Sequence, residues 1–240
     1  DNFQTILTLK GGNINEFASY DNMILYRNDN PNATRNYAES ILGNLSASTP
    51  PVNRRRWIKP VDVSASLNFI NKLSKDATLR TNIDYGYTHT DYDYSESATY
   101  FAGESDISVS SVMSPSANTH KPSFSVEYKL NSDDRYIRNS ISGDASFSTF
   151  RLPVISDTYS ISQAQDMKSF NLSDNFSLSW RRGKMKWNSG THLQFKANPA
   201  GRIDVCGGEN SEASLSQTAR TYSLHASQSI SGVLEYRRSR

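Results

Sequence analysis

The 240 residues carry 26 Lys and Arg against 24 Asp and Glu, a net charge of +2, with 36% hydrophobic residues and a mean hydropathy of -0.63. So balanced a charge leaves no electrostatic footprint for nucleic acid, and so low an apolar content does not fill a large soluble core. A disordered chain is excluded by 13 Tyr and 10 Phe, a disulfide framework or cysteine zinc cluster by the lone Cys206, and a membrane helix by the lack of an apolar run near ~20 residues.

In chain order, 3-10 reads as a first strand. Residues 11-56 then read as a long external loop. Within it Ala38, Ile41, Leu42 and Leu45 have helical spacing, and Pro50-Pro51 favours an extended chain. Arg54-Arg56 precedes Trp57 and reads as a solvated basic run at a strand start.

From 57 to 232 period-2 alternation dominates and predicts consecutive β-hairpins. Val61, Val63, Ala65, Leu67 and Phe69 oppose Asp62, Ser64, Ser66 and Asn68. Leu79, Ile83, Tyr85 and Tyr87 follow, then Phe124, Val126, Tyr128 and Leu130, then Ile137, Ile141, Ala145 and Phe147. Phe170, Leu172, Phe176, Leu178 and Trp180 make the next strand, Trp187, Leu193 and Phe195 another, and Tyr222, Leu224, Ala226 and Ile230 a weaker last one. Short polar turns fall at Leu73-Asp76, Asn131-Arg135 and Arg181-Lys184, and long polar stretches at 89-119, 150-167 and 197-219.

Short turns on one side and long connections on the other are the asymmetry of an outer-membrane barrel. The fold class expected is therefore all-β, an antiparallel up-and-down transmembrane β-barrel segment of about eight strands with long extracellular loops and short periplasmic turns. Residues 1-240 form one partial barrel domain in this reading. A soluble sheet with one buried face also satisfies alternation alone. Tyr128, Tyr136, Trp180 and Trp187 flank the short turns and are candidates for a lipid-interface girdle, Tyr136 being out of phase with Ile137.

Chemistry is sparse in this pattern. His89, His120, His192 and His225 have no metal-ligand spacing, although phase puts His192 and His225 on the polar face. Asp91, Asp93, Glu104 and Asp106 are oxygen ligands of the kind Ca2+ takes, but without EF-hand spacing they read first as a solvated loop. Arg80, Glu127, Arg138, Asp144, Lys184 and Lys186 put both charge signs on the polar face. No catalytic group and no cofactor site is assigned, and the chain is not read as an enzyme.

The run Ser46-Ala-Ser-Thr-Pro-Pro-Val-Asn-Arg-Arg-Arg-Trp57, the run from Asn71 through Tyr87, and Ala98-Thr-Tyr-Phe101 resemble the barrel region of TonB-dependent receptor-like outer-membrane proteins of the Bacteroidetes. These are of the type that carries a carboxypeptidase-like regulatory domain. Phe3-Asn13, Lys121-Phe150 and Phe170-Phe195 extend the resemblance over most of residues 1-200, and it fades beyond Ile203. The resemblance implies a stretch of a larger barrel of roughly 22 strands, in the cell outer membrane. It also implies uptake of a scarce ligand driven by TonB, engaged through a plug domain that these 240 residues do not contain. The partners it implies are outer-membrane lipid, TonB and a surface lipoprotein. The competing expectation is a plug-free outer-membrane barrel with a structural, secretion or adhesion role.

Overall fold

Alternating apolar and polar residues place one kind of side chain on each face of an extended chain, and among the described residues that pattern is realised as sheet. The computed structural model describes residues 2-12, 59-102, 105-207 and 214-234, with backbone alone at Lys59, Ala102, Ser105 and Asp106. The strands are β1 (Phe3-Gly12), β2 (Lys59-Lys72), β3 (Ala77-Asp91), β4 (Tyr94-Ala102), β5 (Ser105-Met113), β6 (Ser116-Asn131), β7 (Arg135-Ser156), β8 (Ser160-Arg182), β9 (Met185-Gly207) and β10 (Ser214-Leu234). All pairs are antiparallel, and the main path is β1-β2-β3-β6-β7-β8-β9-β10. Eight strands thus form the wall, as alternation predicts, and among the described residues the path stays open at β1 and β10. The expected loop at 11-56 lies almost wholly outside the described residues.

The short turns are local chemistry. Ser74 Oγ accepts from the amides of Asp76 (3.3 Å) and Ala77 (3.1 Å) to close β2 onto β3. Ser132 N donates to Arg135 O (2.9 Å) between β6 and β7. Gly183 has φ 62° and opens a two-residue turn between β8 and β9, as a type II′ hairpin needs at its first central position.

The long polar stretches at the other end differ from expectation. At 150-167, β7 and β8 continue and meet in the three-residue turn 157-159, with Ser156 N donating to Tyr159 O (2.8 Å). In stretch 197-219 the described residues continue β9 to Gly207 and begin β10 at Ser214, and stretch 89-119 contains the β4-β5 hairpin. β5 then pairs with β7 at Met113-Val154 to Ser111-Ser156, directly beyond the point where β6 begins. Strands β7 to β10 are 21 to 23 residues long, about twice the length a tilted strand needs to cross a bilayer. In their far halves the faces change character: Leu152, Met167 and Ile203 are buried on one face, while Arg151, Asp166, Lys168, Arg202 and Asp204 lie on the other. On β7 and β8 the apolar residues change parity there, from Phe147 to Leu152 and from Phe170 to Met167, while the hydrogen-bond ladder continues.

One irregularity divides β9. The ladder to β8 steps from Lys168-Ala200 to Phe170-Ala197, and the ladder to β10 steps from Ala219-Gly201 to Thr221-Asn198. The extra residue lies at 198-200, around Pro199. Proline has no amide to give an interior strand, and a bulge is where a sheet tolerates it.

Candidate functional site

The two faces of the wall are inverted relative to a soluble sheet. Among the described residues six hydrophobic side chains are buried (Ala77, Met113, Leu152, Met167, Ala197 and Ile203), against twelve polar or charged ones, among them Ser66, Asn68, Glu127, Asn171 and Ser173. The register puts the buried polar residues on one face, called inner here. The outer face exposes Val63, Ile83, Phe124, Ile141, Leu172, Leu193, Phe195 and Leu224.

The inner face is a continuous hydrogen-bonded surface. Asn68 Nδ2 donates to Ser66 Oγ (3.1 Å), and Ser66 donates to Asp84 Oδ1 (2.6 Å). Asn82 Nδ2 donates to Ser125 Oγ (3.1 Å), and Asn171 Nδ2 to Asp144 Oδ1 (2.9 Å). Ser142 and Ser173 share a bond of 2.8 Å. At its centre Glu127, 4% exposed, lies between two arginines. Arg138 Nε donates to Glu127 Oε2 (2.6 Å), and Arg80 Nη1 to Glu127 Oε1 (3.4 Å). Three adjacent strands each contribute one member of this group. A buried charge needs such pairing because desolvation is otherwise unfavourable by several kcal/mol, on the order of magnitude of the Coulomb gain.

Beside Arg138 the inner surface dips into an open depression of about 480 Å3, lined by Ser140, Asn175, Ser177, Gly190, His192 and Ser229. Gly190 forms its floor, where a Cβ would stand 3.0 Å from Ser229 Oγ. His192 Nδ1 is bonded to Asn175 Oδ1 (2.6 Å), and its ring centroid lies 5.8 Å from that of His225. Phase in the sequence places both imidazoles inward, and the strand pairing brings them together. His89 and His120 lie on the outer face, with His120 Nδ1 bonded to Tyr85 OH (2.7 Å).

Of the ring candidates, Trp180 and Trp187 are cross-strand partners stacked at 6.1 Å on the outer face. Tyr128 pairs with Leu79 on that face. Tyr136 departs from the other three: it pairs with Asn131 and Ser179 on the inner face, beneath Lys129 Nζ at 5.8 Å from the ring. A one-residue offset from Ile137 is enough to reverse a side chain in a strand.

The acidic candidates separate. Asp91 ends β3 and Asp93 follows it, Glu104 lies outside the described residues, and only the backbone of Asp106 is described. Among the described residues no group of three or more His, Cys, Asp or Glu could hold a metal ion. Lys184 occupies the β8-β9 turn, and Lys186 pairs with Arg181 just beside it.

The outer face also shows where its apolar belt ends. On β8 the outward residues run Trp180, Leu178, Phe176, Asp174, Leu172, Phe170, and then become Lys168 and Asp166. Ten residues at about 3.3 Å, tilted by about 40°, give a belt about 25 Å tall, the height of a barrel's lipid-facing band. Aromatic rings close it at both ends: Trp180 and Trp187 at one, and Phe147 against Phe170 (5.4 Å, edge-on) at the other. Beyond Phe170 lie the ion pairs Arg151-Asp166 (2.8 Å) and Arg202-Asp204 (2.7 Å). Sequence reading missed these charges because it took 150-167 and 197-219 for loops. Lys168 and Asp166 are in phase with Phe170, a signal that was present in the text.

No protein-family description and no curated protein matches the sequence. Two solved structures are similar in shape at 9% identity. The ferric yersiniabactin uptake receptor FyuA from Yersinia pestis matches with a TM-score of 0.49 over 73% of this chain and 26% of its own. The ferric-catecholate import receptor Fiu from E. coli K12 matches with a TM-score of 0.40 over 74% of this chain and 31% of its own. The chain thus spans between a quarter and a third of the length of these receptors.

Proposed function

We propose that this chain is wall of an outer-membrane β-barrel, and that the barrel is a TonB-dependent receptor taking up a scarce ligand. The observation that carries the first part is the outward apolar belt of about 25 Å between two aromatic edges, with hydrogen-bonded polar groups on the opposite face. A soluble sheet would bury the first and expose the second. The strand turns support the same orientation, with tight turns at 73-76, 132-134 and 183-184 on one end and long strand extensions at the other.

The receptor part rests on the resemblance of residues 46-57, 71-87 and 98-101 to that family, and on an inner wall suited to contact a polar occupant. Arg80, Glu127 and Arg138, together with the depression at Gly190, would face a plug or a passing ligand. In this reading the wall positions and seals, and energy coupling belongs to the plug.

The test uses the full-length protein. Resistance to carbonate extraction and heat-modifiable gel mobility are expected of a barrel, and release by carbonate without detergent would refute it. Binding to the purified periplasmic domain of TonB is expected of the receptor. A protein that stays in the membrane but does not bind TonB is the plug-free barrel.

A further inference from the structure

At the upper edge of the apolar belt three cations surround the β9 bulge. Lys168 on β8 pairs with Ala200 on β9, and Arg202 is the next outward residue of β9, paired with Thr218 of β10. Arg220 of β10 lies between Ala219 and Thr221, opposite the β9 bulge, and shares the outer face with Thr218 and Tyr222. Two neighbouring strand spacings put Lys168 and Arg220 about 10 Å apart. Between them the wall presents only Pro199 and Ala200. The bulge thus produces a notch with small residues at its floor and long cationic side chains on its rim.

We propose that Lys168, Arg202 and Arg220 bind a phosphate of an outer-leaflet lipid headgroup. The level fits. Phe170 and Tyr222, the outward residues two positions nearer the belt, are exposed apolar side chains, so the cations stand where acyl chains give way to headgroups. The charge fits as well. Among the described residues the two acids at this level are both engaged, Asp166 with Arg151 and Asp204 with Arg202. Lys168 and Arg220 are exposed, and each basic residue near an anionic lipid surface adds to the attraction. Arg220 presents a forked donor that matches phosphate oxygens, and Arg202, whose Nε is held by Asp204, offers its Nη atoms. The placement at headgroup level rests on the barrel reading above, since only a lipid-facing belt gives the edge its meaning.

The experiment is a lipid A titration of the full-length protein in phosphatidylcholine nanodiscs, read as bound lipid A per protein by native mass spectrometry. Lys168→Glu with Arg220→Glu is expected to weaken apparent binding about tenfold or more, while Lys75→Glu with Lys184→Glu, at the opposite end of the wall, leaves it unchanged. Lys168→Gln with Arg220→Gln gives a smaller loss in the same direction and serves if charge reversal disturbs folding. Equal binding by wild type and the 168/220 variants overturns the proposal, and so does equal loss in the 75/184 control. Displacement of lipid A by inorganic phosphate at the same concentration also overturns it, because the site would then take the free ion. Carbonate release of the wild-type protein overturns the barrel reading and this site with it. Normal membrane retention with unaltered lipid A binding overturns the site alone.

Discussion

Glu127 on β6 and Arg138 on β7 meet diagonally across the inner face at 2.6 Å, and the carboxylate is almost wholly buried. Its second oxygen faces Arg80 of β3, so one acid joins three consecutive wall strands. Removing it leaves two guanidinium groups facing each other across a buried gap. Both arginines are partly exposed, at 30% and 39%, and water relieves part of the penalty. Glu127→Ala is therefore expected to cost about 2 kcal/mol, below the range for fully buried pairs. Glu127→Gln, which keeps the shape and one acceptor, falls between the two. Urea unfolding of the full-length protein folded in lipid vesicles measures both, and a change under about 0.5 kcal/mol for the alanine variant would remove Glu127 from any structural role.

The inverted faces make opposite demands on arginine. Leu67 and Leu178 are outward, and an arginine near mid-bilayer costs about 2-4 kcal/mol. On the inner face the two positions that look alike in sequence are not alike in the fold. Ser177 borders the open depression, whereas Ser66 is 1% exposed and donates to Asp84. Leu67→Arg, Leu178→Arg and Ser66→Arg are all expected to reduce folding yield in vesicles, and Ser177→Arg to leave it near wild type. Loss at Ser177 equal to that at Leu178 would reject the assignment of faces.

The wall from 59 to 88, from 120 to 149 and from 168 to 195 was legible because each residue there has one fixed face, and a period of two records it. Legibility stopped at Ala197 for a physical reason. The extra residue at Pro199 shifts the β9 phase, so even-numbered Gln194 and Lys196 point inward before the bulge while odd-numbered Gly201 and Ile203 do so after it. A reader following one parity loses the strand at that step. Extension strands beyond Phe170 were lost differently, since the apolar residues move to the inner face there, as Leu152 and Met167 do, while Asp166 and Lys168 take the outer one. Histidine phase was readable, but the proximity of His192 and His225 needed the β9-β10 register.

The β4-β5 hairpin is tied to the β7-β8 turn by Asp157, which accepts from Ser110 Oγ (2.7 Å) and Ser110 N (2.7 Å). The side-chain bond from Ser110, followed by the backbone one, holds the Asp157 carboxyl below the usual carboxylate range. A depressed carboxylate stabilises the folded contact above its unfolded pKa, about 3.9. That contribution falls away as pH drops through the lowered folded value. The protection of the Ser111-Met113 amides, measured as exchange relative to the intrinsic rate at each pH, is expected to fall when the pH is taken from neutral to below about 4. Ser110→Ala is expected to show the faster exchange already at neutral pH. Exchange that is independent of Asp157→Asn at every pH would show that the tie does not hold the hairpin.

Asp174 is the exception in the outer belt. It is the one acid among the outward residues of β8 between Trp180 and Phe170, and its cross-strand partners are Ile141 and Leu193. Its Oδ1 is buried without a hydrogen-bond partner among the described residues. An ionisable side chain in a lipid-facing band is unfavourable, by less for Asp than the about 2-4 kcal/mol of a basic residue at the midplane. Asp174→Leu is therefore expected to raise stability in vesicles by about 1-2 kcal/mol, and Asp174→Asn by less, because the amide keeps a polar group in the same place. The same substitutions in a protein whose outer face met water would change stability by no more than about 0.5 kcal/mol. Urea midpoints for the two variants in vesicles thus test the position of the belt at a residue the alternation itself passes over. A stability loss with Asp174→Leu would mean that the carboxylate has a partner at that face, and that lipid does not cover β8 there.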